Sequence, residues 1–382
     1  MSFLRSTAYT RVNTFNMGVL STIQYVFPPP RYISFPSVGV DISDTSLKYV
    51  EFERVHSHDK QLLLKQWGDI TIPAGVVERG NVHDPAKLTE VLKEVKEKCN
   101  AQYVNVSLPE ERAYLFETAI DRSTPVRDIR NLLEFKLEEN VPVSPRDAYF
   151  DYAIVGDDPT QNTLHVAVAV YAQETINKYY EACTQAGLMP LSFEIEAQAI
   201  ARASVTQGVL GTCMIVDFGK TRLGVGIVHD GMLMYTSTVD IAGEQLSASM
   251  RTVLGDDVSE STLTEIKNTR GILKTNGNES VAESLEGLIT SMVDELNIRI
   301  QYWHARDIDR DKRVIQKIIL CGGSANLFGL PEHLTAQLGI PVERAHVWQN
   351  AFSLESFIPP ITRKYSYGYA TAIGLALREF FV

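Results

Sequence analysis

Twice in this chain a strand ends on an aspartate, turns through small residues and returns as a second strand. The first copy carries Val40-Asp41-Ile42-Ser43 and the second Val216-Asp217-Phe218-Gly219. In the first, Val38, Val40 and Ile42 alternate, Ser43-Asp44-Thr45-Ser46 turns, and Leu47, Tyr49 and Val50 resume, which predicts a hairpin over Ser37 to Glu53. In the second, Met214 to Phe218 and Leu223 to His229 flank Gly219-Lys220-Thr221, and Asp230-Gly231 makes a tight turn into Met232 to Thr238. An acid at a strand end, followed by small residues, puts a carboxylate and free backbone amides on a cleft wall. Amides of this kind cradle phosphate oxygens, and the carboxylate can hold a hydrated Mg²⁺ that travels with ATP. Either aspartate alone could equally cap its own turn.

A third element bears on the same chemistry. Val314 to Leu320 reads as a strand opening through Cys321-Gly322-Gly323-Ser324-Ala325-Asn326-Leu327 into a turn and helix, where the missing side chains let a flat base and a ribose approach the backbone. A packing turn would also suit those glycines. Between the motifs, periodicity predicts a strand near Gln61 to Ile70, a helix over Pro85 to Cys99 and a strand at Val104 to Leu108. From Leu108 to Ala172 the order becomes strand, helix, strand, strand, a small α+β insertion whose helix is expected to start at a Thr124 cap with Pro125 in its first position. Helices are expected at Glu174 to Ala186, ended by Gly187, at the Ala-rich Glu196 to Val205, through most of Glu244 to Arg306, and at the Gly/Ala-rich Tyr367 to Leu377.

Composition narrows the classes. With 382 residues, 45% of them hydrophobic, the chain has material for two or three compact units. A net charge of −11 opposes broad contact with nucleic-acid phosphates. No apolar run approaches the roughly 20 residues of a membrane-spanning helix. Cys99, Cys183, Cys213 and Cys321 are too scattered for a zinc site or a disulfide framework, which suggests a reducing, cytosolic setting. His56-Ser57-His58 reads as a polar hairpin tip rather than a metal site. Residues 1–36 contain no Asp or Glu and include Pro28-Pro29-Pro30; they read as a flexible arm, with a transit-like leader or a true start at Met17 as alternatives.

The order of these motifs resembles the actin-like ATPase superfamily, and within it the PilM family of type IV pilus assembly proteins, itself similar to FtsA. The resemblance rests on Val38 to Glu53 and Val216 to Gly226 as phosphate motifs, Ile319 to Leu330 as the adenosine motif, Glu194 to Arg202 and Tyr367 to Leu377 as connecting helices, and Asp240-Ile241-Ala242-Gly243-Glu244. It implies an α/β, ribonuclease H-like, two-lobed fold with an inserted α+β 1C (SHS2-like) subdomain. The implied division is an arm at 1–36, subdomain 1A at 37–107, 1C at 108–172, 1A again at 173–212, 2A at 213–242, 2B at 243–312, 2A again at 313–365, and a C-terminal helix at 366–382 returning to 1A.

The resemblance also implies ATP and Mg²⁺ as ligands. Asp217 would hold Mg²⁺ through water, and Asp41 would sit beneath the phosphates. Ser43, Asp44, Thr45, Lys48, Gly219, Lys220, Gly243 and Glu244 would line them, with the first amides of the helix at Gly243 facing phosphate oxygens. Lys267, Gly322, Gly323, Ser324 and Phe328 would hold the adenosine, unless Phe328 is simply core. Glu196 would orient an attacking water, with Glu194 as its competitor. Ser43, Ala197 and Ala242 replace a glycine, a proline and a glycine usual in the family; side chains there would narrow the phosphate path and make hydrolysis slow or absent. The implied partner is the N-terminal cytoplasmic peptide of a PilN-like inner-membrane protein of a pilus or type II secretion platform, holding the chain at the membrane's inner face. An actin-like small-molecule kinase and an FtsA-like filament protein are the alternatives.

Overall fold

The computed structural model describes residues 35–54, 62–275, 277–306 and 313–380. In chain order the main elements are β1 (Ser37–Ile42), β2 (Ser46–Arg54), β3 (Leu62–Thr71), α1 (Pro85–Cys99), β4 (Tyr103–Leu108), β5 (Tyr114–Asp121), α2 (Val126–Asn140), β6 (Ala148–Asp158), β7 (Thr163–Ala172), α3 (Gln173–Gln185), β8 (Met189–Ile195) and α4 (Glu196–Ser204). The second half continues with β9 (Thr212–Phe218), β10 (Leu223–His229), β11 (Met232–Val239), α5 (Gly243–Leu254), α6 (Glu260–Thr269), α7 (Glu279–Ala305), β12 (Ile315–Cys321), α8 (Leu330–Leu338), β13 (Val342–Arg344) and α9 (Ala370–Ala376). His56 and His58, and all of the arm up to residue 34, lie outside the described residues.

The two hairpins nucleate two sheets of the same design. In the first, β8 and β4 run parallel to β1, which pairs antiparallel with β2, and β2 with β3. In the second, β13 and β12 run parallel to β9, which pairs antiparallel with β10, and β10 with β11. β1 and β9 are therefore the central strands of their sheets, and both end on the aspartate-bearing turn. Central strands are covered on both faces, which is why β1 and β9 read as continuous apolar runs apart from the terminal acid.

Two small-residue helices join the lobes. Every residue of α4 and of α9 is buried. Their approach is backbone to backbone: a Cβ on Gly374 would stand 1.7 Å from the Ala199 carbonyl oxygen, and one on Gly39 would stand 2.2 Å from that of Ala372. Backbone cannot yield as a flexible side chain can. Gly374→Ala is expected to cost at least about 1–3 kcal/mol as overpacking, read as a lower urea midpoint at unchanged slope.

The insertion has a core of its own. Its sheet, in the order β5, β7, β6, is wholly antiparallel. Ile129, Leu133 and Leu137 form a one-sided stripe on α2 that covers Ile120, Phe150, Val166, Val168 and Val170. Phe135, on the other side of α2, is 80% exposed, and Val126, its first residue, is 61% exposed. The helix departs from expectation at its start: Pro125 is the cap, and Thr124 instead donates its own N–H to the Asp121 carbonyl in the preceding turn. Thr124 therefore caps nothing, since Pro125 already has an extended ψ of 138°.

One buried ion cluster ties the insertion to the second lobe. Glu117 on β5 is almost wholly enclosed and receives both arms of Arg313, at 2.8 and 2.9 Å. Arg306, at the end of α7, and His165 each stand 3.7 Å away. The four cysteines are buried free thiols. No helix among the described residues is long and apolar enough to cross a membrane.

Candidate functional site

On the first wall, Asp41 is the fifth of the six residues of β1 and is buried. Ser107 at the end of β4 orients it: the Ser107 hydroxyl donates to Asp41 Oδ1 at 3.1 Å and accepts the Ile42 N–H at 3.0 Å. Burial pushes the Asp41 carboxyl above the usual range, against the pull of Lys48, Ser107 and Arg222. Lys48 stands opposite Asp41 in the β1–β2 register and donates to Ser46 Oγ at 2.7 Å. The turn between them is closed by Ser43, whose N–H and hydroxyl both bond the Ser46 carbonyl. The amides of Asp44 and Thr45 take no part in backbone hydrogen bonds among the described residues.

On the second wall, Asp217 occupies the equivalent place in β9. Burial raises its carboxyl to about 6, with the Asp41 charge adding and Arg222 and Lys48 opposing. The two aspartates thus sense each other across the cleft. Gly322, at φ +86°, makes room for this: a Cβ there would lie 2.3 Å from Asp217 Oδ1. Gly243 is needed for a similar reason, because its Cβ would lie 2.1 Å from Ser324 Oγ.

The start of α5 does not have the role expected of it. The Gly243 N–H donates to the Gly219 carbonyl at 3.1 Å, and the Glu244 N–H to that of Lys220 at 3.0 Å. Ser324 Oγ donates to Gly219 as well, at 3.1 Å. These donors are consumed in shaping the second turn, so Gly243 and Glu244 position Gly219 and Lys220 rather than offering amides of their own to a phosphate. The amides of Lys220 and Thr221 remain outside the backbone hydrogen bonds among the described residues.

Lys267 and the stretch after Gly322 lie side by side. The Phe328 N–H donates to the Lys267 carbonyl at 2.9 Å, and Lys267 Nζ donates to Ser247 Oγ at 2.8 Å. Phe328 is not core: its side chain is 44% exposed and lines a cavity of about 410 Å³ with Asn268, Asn326, Arg344 and Tyr367. Gly322 and Gly323 lead directly into this region.

Glu194 and Glu196 diverge because one closes a strand and the other opens a helix. Glu194 is enclosed and held by Arg202 and Arg378, whereas Glu196 lies 3.4 Å from Arg222 in the cleft. Burial and the charges of Asp41, Glu110 and Glu111 push the Glu196 carboxyl far up, with Arg222 opposing. The three departures from the family pattern do not narrow the phosphate path as expected. Ala197 is fully buried against Gly226 of β10, whose Cβ would meet the Ala197 methyl at 2.5 Å. Ala242 is buried too, and the Ser43 hydroxyl is turned onto its own loop. The Ala197 methyl and the Ser43 hydroxyl are both turned onto neighbouring protein atoms.

Three cleft residues escape the sequence reading: Arg222, Glu110 and Glu111. Arg222 lies 3.2 Å from Asp44, 2.9 Å from Glu111 and 3.4 Å from Glu196. Glu110, in the turn after β4, is 3% exposed, and its Oε2 has no hydrogen-bond partner among the described residues. Burial raises the Glu110 carboxyl to about 8, with the Asp217 charge adding. Two adjacent acids after a strand look like surface, and only their tertiary neighbours show otherwise.

The profile of the family described as type IV pilus assembly protein PilM matches residues 39–380. Among solved structures, the chain is similar to the PilM-PilN type IV pilus biogenesis complex, at 20% identity over 90% of this chain and 98% of that one, with a TM-score of 0.71. It is also similar to the ethanolamine utilization protein EutJ from Carboxydothermus hydrogenoformans, at 16% identity over 91% and 93% of the two chains and a TM-score of 0.51. ADP-bound MreB5 of Spiroplasma citri matches at 11% identity over 89% and 95%, again with a TM-score of 0.51. These structural likenesses establish the actin-like fold, and a profile match that takes in both aspartate hairpins, the insertion and the last helix establishes the rest: the chain belongs to the PilM family of type IV pilus assembly proteins.

Proposed function

We propose that this chain is a nucleotide-binding scaffold of the pilus assembly machinery, which takes ATP with Mg²⁺ between its lobes and captures the cytoplasmic peptide of a PilN-like inner-membrane protein through its insertion. The observation that carries the nucleotide part is the meeting of Asp41 and Asp217 at equivalent ends of two sheets of the same design. The residues present fit the ligand. Gly322 and Gly243 let Asp217 and Ser324 close in where a side chain would collide with them, a Cβ on Gly323 would meet open space, and Glu110 Oε2 is a buried carboxylate oxygen in want of a cation or a proton.

In this reading Asp44, Thr45, Lys220 and Thr221 offer backbone amides to phosphate oxygens, and Lys48 adds positive charge beside Asp41. Lys267, Gly323 and Phe328 border the base and ribose. Among the described residues no group of three or more His, Cys, Asp or Glu could hold a metal ion. Asp217 would hold Mg²⁺ through water, and the ion would offset the charge of the phosphates it accompanies. Glu196 is drawn to Arg222, which leaves it poorly placed to orient water and favours slow hydrolysis or none. The membrane is reached through the partner. Family membership lends no support to a small-molecule kinase or a filament-forming role.

Millimolar ATP with Mg²⁺ is expected to raise the melting temperature, since a ligand at about 100 times its dissociation constant stabilises by about 2.7 kcal/mol. Asp217→Asn should remove the part of that rise that depends on Mg²⁺ and keep the fold. A wild-type protein indifferent to nucleotide in a thermal scan would sink this reading.

A further inference from the structure

Arg222 belongs to the second turn, yet the three carboxylates it pairs with among the described residues lie in the first lobe. Its Nη1 stands 3.2 Å from Asp44 Oδ2 and 2.9 Å from Glu111 Oε1, and its Nη2 3.4 Å from Glu196 Oε1. Its side chain is only 13% exposed, so these ion pairs are not the screened, interchangeable kind found at a surface. One guanidinium therefore stands between the first phosphate turn and Glu196. A polyphosphate lying between the two turns would bring its outermost group to that place.

We infer that Arg222 reads the terminal phosphate, an assignment that rests on the nucleotide-binding reading above. With a diphosphate bound, the guanidinium stays on Asp44. With a triphosphate bound, it exchanges Asp44 for terminal phosphate oxygens while keeping Glu111 and Glu196. Phosphate is the better acceptor, because it offers two oxygens to the planar fork of an arginine and carries more charge than one carboxylate. Asp44 can release Arg222 without being stranded: its Oδ1 also accepts from the Gly80 N–H at 3.3 Å, and its Oδ2 from Thr221 Oγ1 at 3.3 Å. Glu111 and Glu196 fix the guanidinium during the exchange, so discrimination needs no movement of the main chain.

The bland reading is that Arg222 only clasps the lobes together, and the two differ in what they predict for ADP and ATP. The test measures binding of ADP and of a non-hydrolysable ATP analogue, each with Mg²⁺, by titration calorimetry. It compares wild type, Arg222→Gln, Arg222→Lys and Asp44→Asn, and records the melting temperature of each without nucleotide. Arg222→Gln should weaken the analogue by about 10- to 100-fold, the worth of a lost hydrogen bond to a charged group. Its ADP affinity should stay within about 3-fold on the same scale. Arg222→Lys should show the same selective loss in a protein that keeps the charge, because an ammonium cannot span two acceptors in a plane. Asp44→Asn, which removes the competitor, should leave analogue binding equal or tighter. Parallel losses for ADP and analogue, or none for either, would overturn the inference while leaving nucleotide binding intact; a wild type that binds neither nucleotide would overturn the underlying reading and the inference with it.

Discussion

Glu194→Gln is expected to lower stability by about 3–5 kcal/mol, the cost of breaking a buried ion cluster by removing one partner. Glu194 is fully enclosed; Arg202 Nη1 bonds its Oε2 at 2.6 Å, Arg202 Nη2 bonds its Oε1, and Arg378 Nη1 reaches Oε1 at 2.8 Å. The glutamine fills the same volume but takes from the two buried guanidiniums the carboxylate that both of them grip. The cluster also fixes the joint between lobes, since Arg202 Nη1 donates to the Gly374 carbonyl at 2.9 Å on the helix that packs against α4. The effect has a pH signature. Burial alone would raise the Glu194 carboxyl, but Arg202 and Arg378 together hold it below the usual range. A carboxylate depressed in the folded state contributes its stability above its unfolded value of about 4.3, and loses it as pH falls through the folded value. Urea titrations should therefore show wild type and variant far apart at neutral pH and converging in acid. A gap of under about 1 kcal/mol at pH 7 would mean that the pair is as weak as an exposed one.

What could be read from the sequence, and what could not, divides by the range of the interaction. The hairpins at Asp41 and Asp217, the helix at Pro85–Cys99 and the succession of strand, helix, strand and strand in the insertion follow from alternation, periodicity and local turn chemistry, all of which act within a few residues. The glycines of the turn after β12 could be found in the same way. Arg222, Glu110 and Glu111 could not, because what makes them cleft residues is the approach of two lobes whose contributions are far apart in the chain. Gly243 shows the same limit in another form. A glycine opening a helix is a sound anion-site signal, but the Gly219 and Lys220 carbonyls reach its amides first, and only the folded chain shows that competition. Ala197 failed for a related reason: its methyl points at Gly226 on a neighbouring strand, so a substitution that looks obstructive along the chain fills a notch in the second sheet.

Removing the insertion is expected to abolish binding of a PilN-like peptide while sparing nucleotide binding. The cleft and the insertion have separate physical bases in the chain. The cleft is built from the ends of β1 and β9, whereas the insertion has its own core of Ile120, Ile129, Leu133, Leu137, Phe150 and Val168. Its outer strands, β5 and β6, each have a neighbour on one side only within that sheet, which suits capture of an extended peptide by backbone hydrogen bonds. Phe135 and Val126 add exposed apolar surface on α2. The ends of the excision meet because Tyr114 and Val170 are direct partners in the β5–β7 register, so a short Gly-Ser bridge replacing residues 114–170 closes the gap, with the loss of Ala153, Ala167 and Ala169 from the main core. It leaves Glu110 and Glu111 in the cleft and Tyr171 in the main core, and it turns Arg313 and Arg306, freed of Glu117, out to solvent. The excised protein should keep its melting shift with ATP and Mg²⁺ and lose at least about 100-fold in affinity for the peptide, or about 2.7 kcal/mol. If it stays folded and binds the peptide as tightly as the full chain does in calorimetry, the peptide site belongs to the two lobes, and the insertion's tie to Arg313 is only architectural.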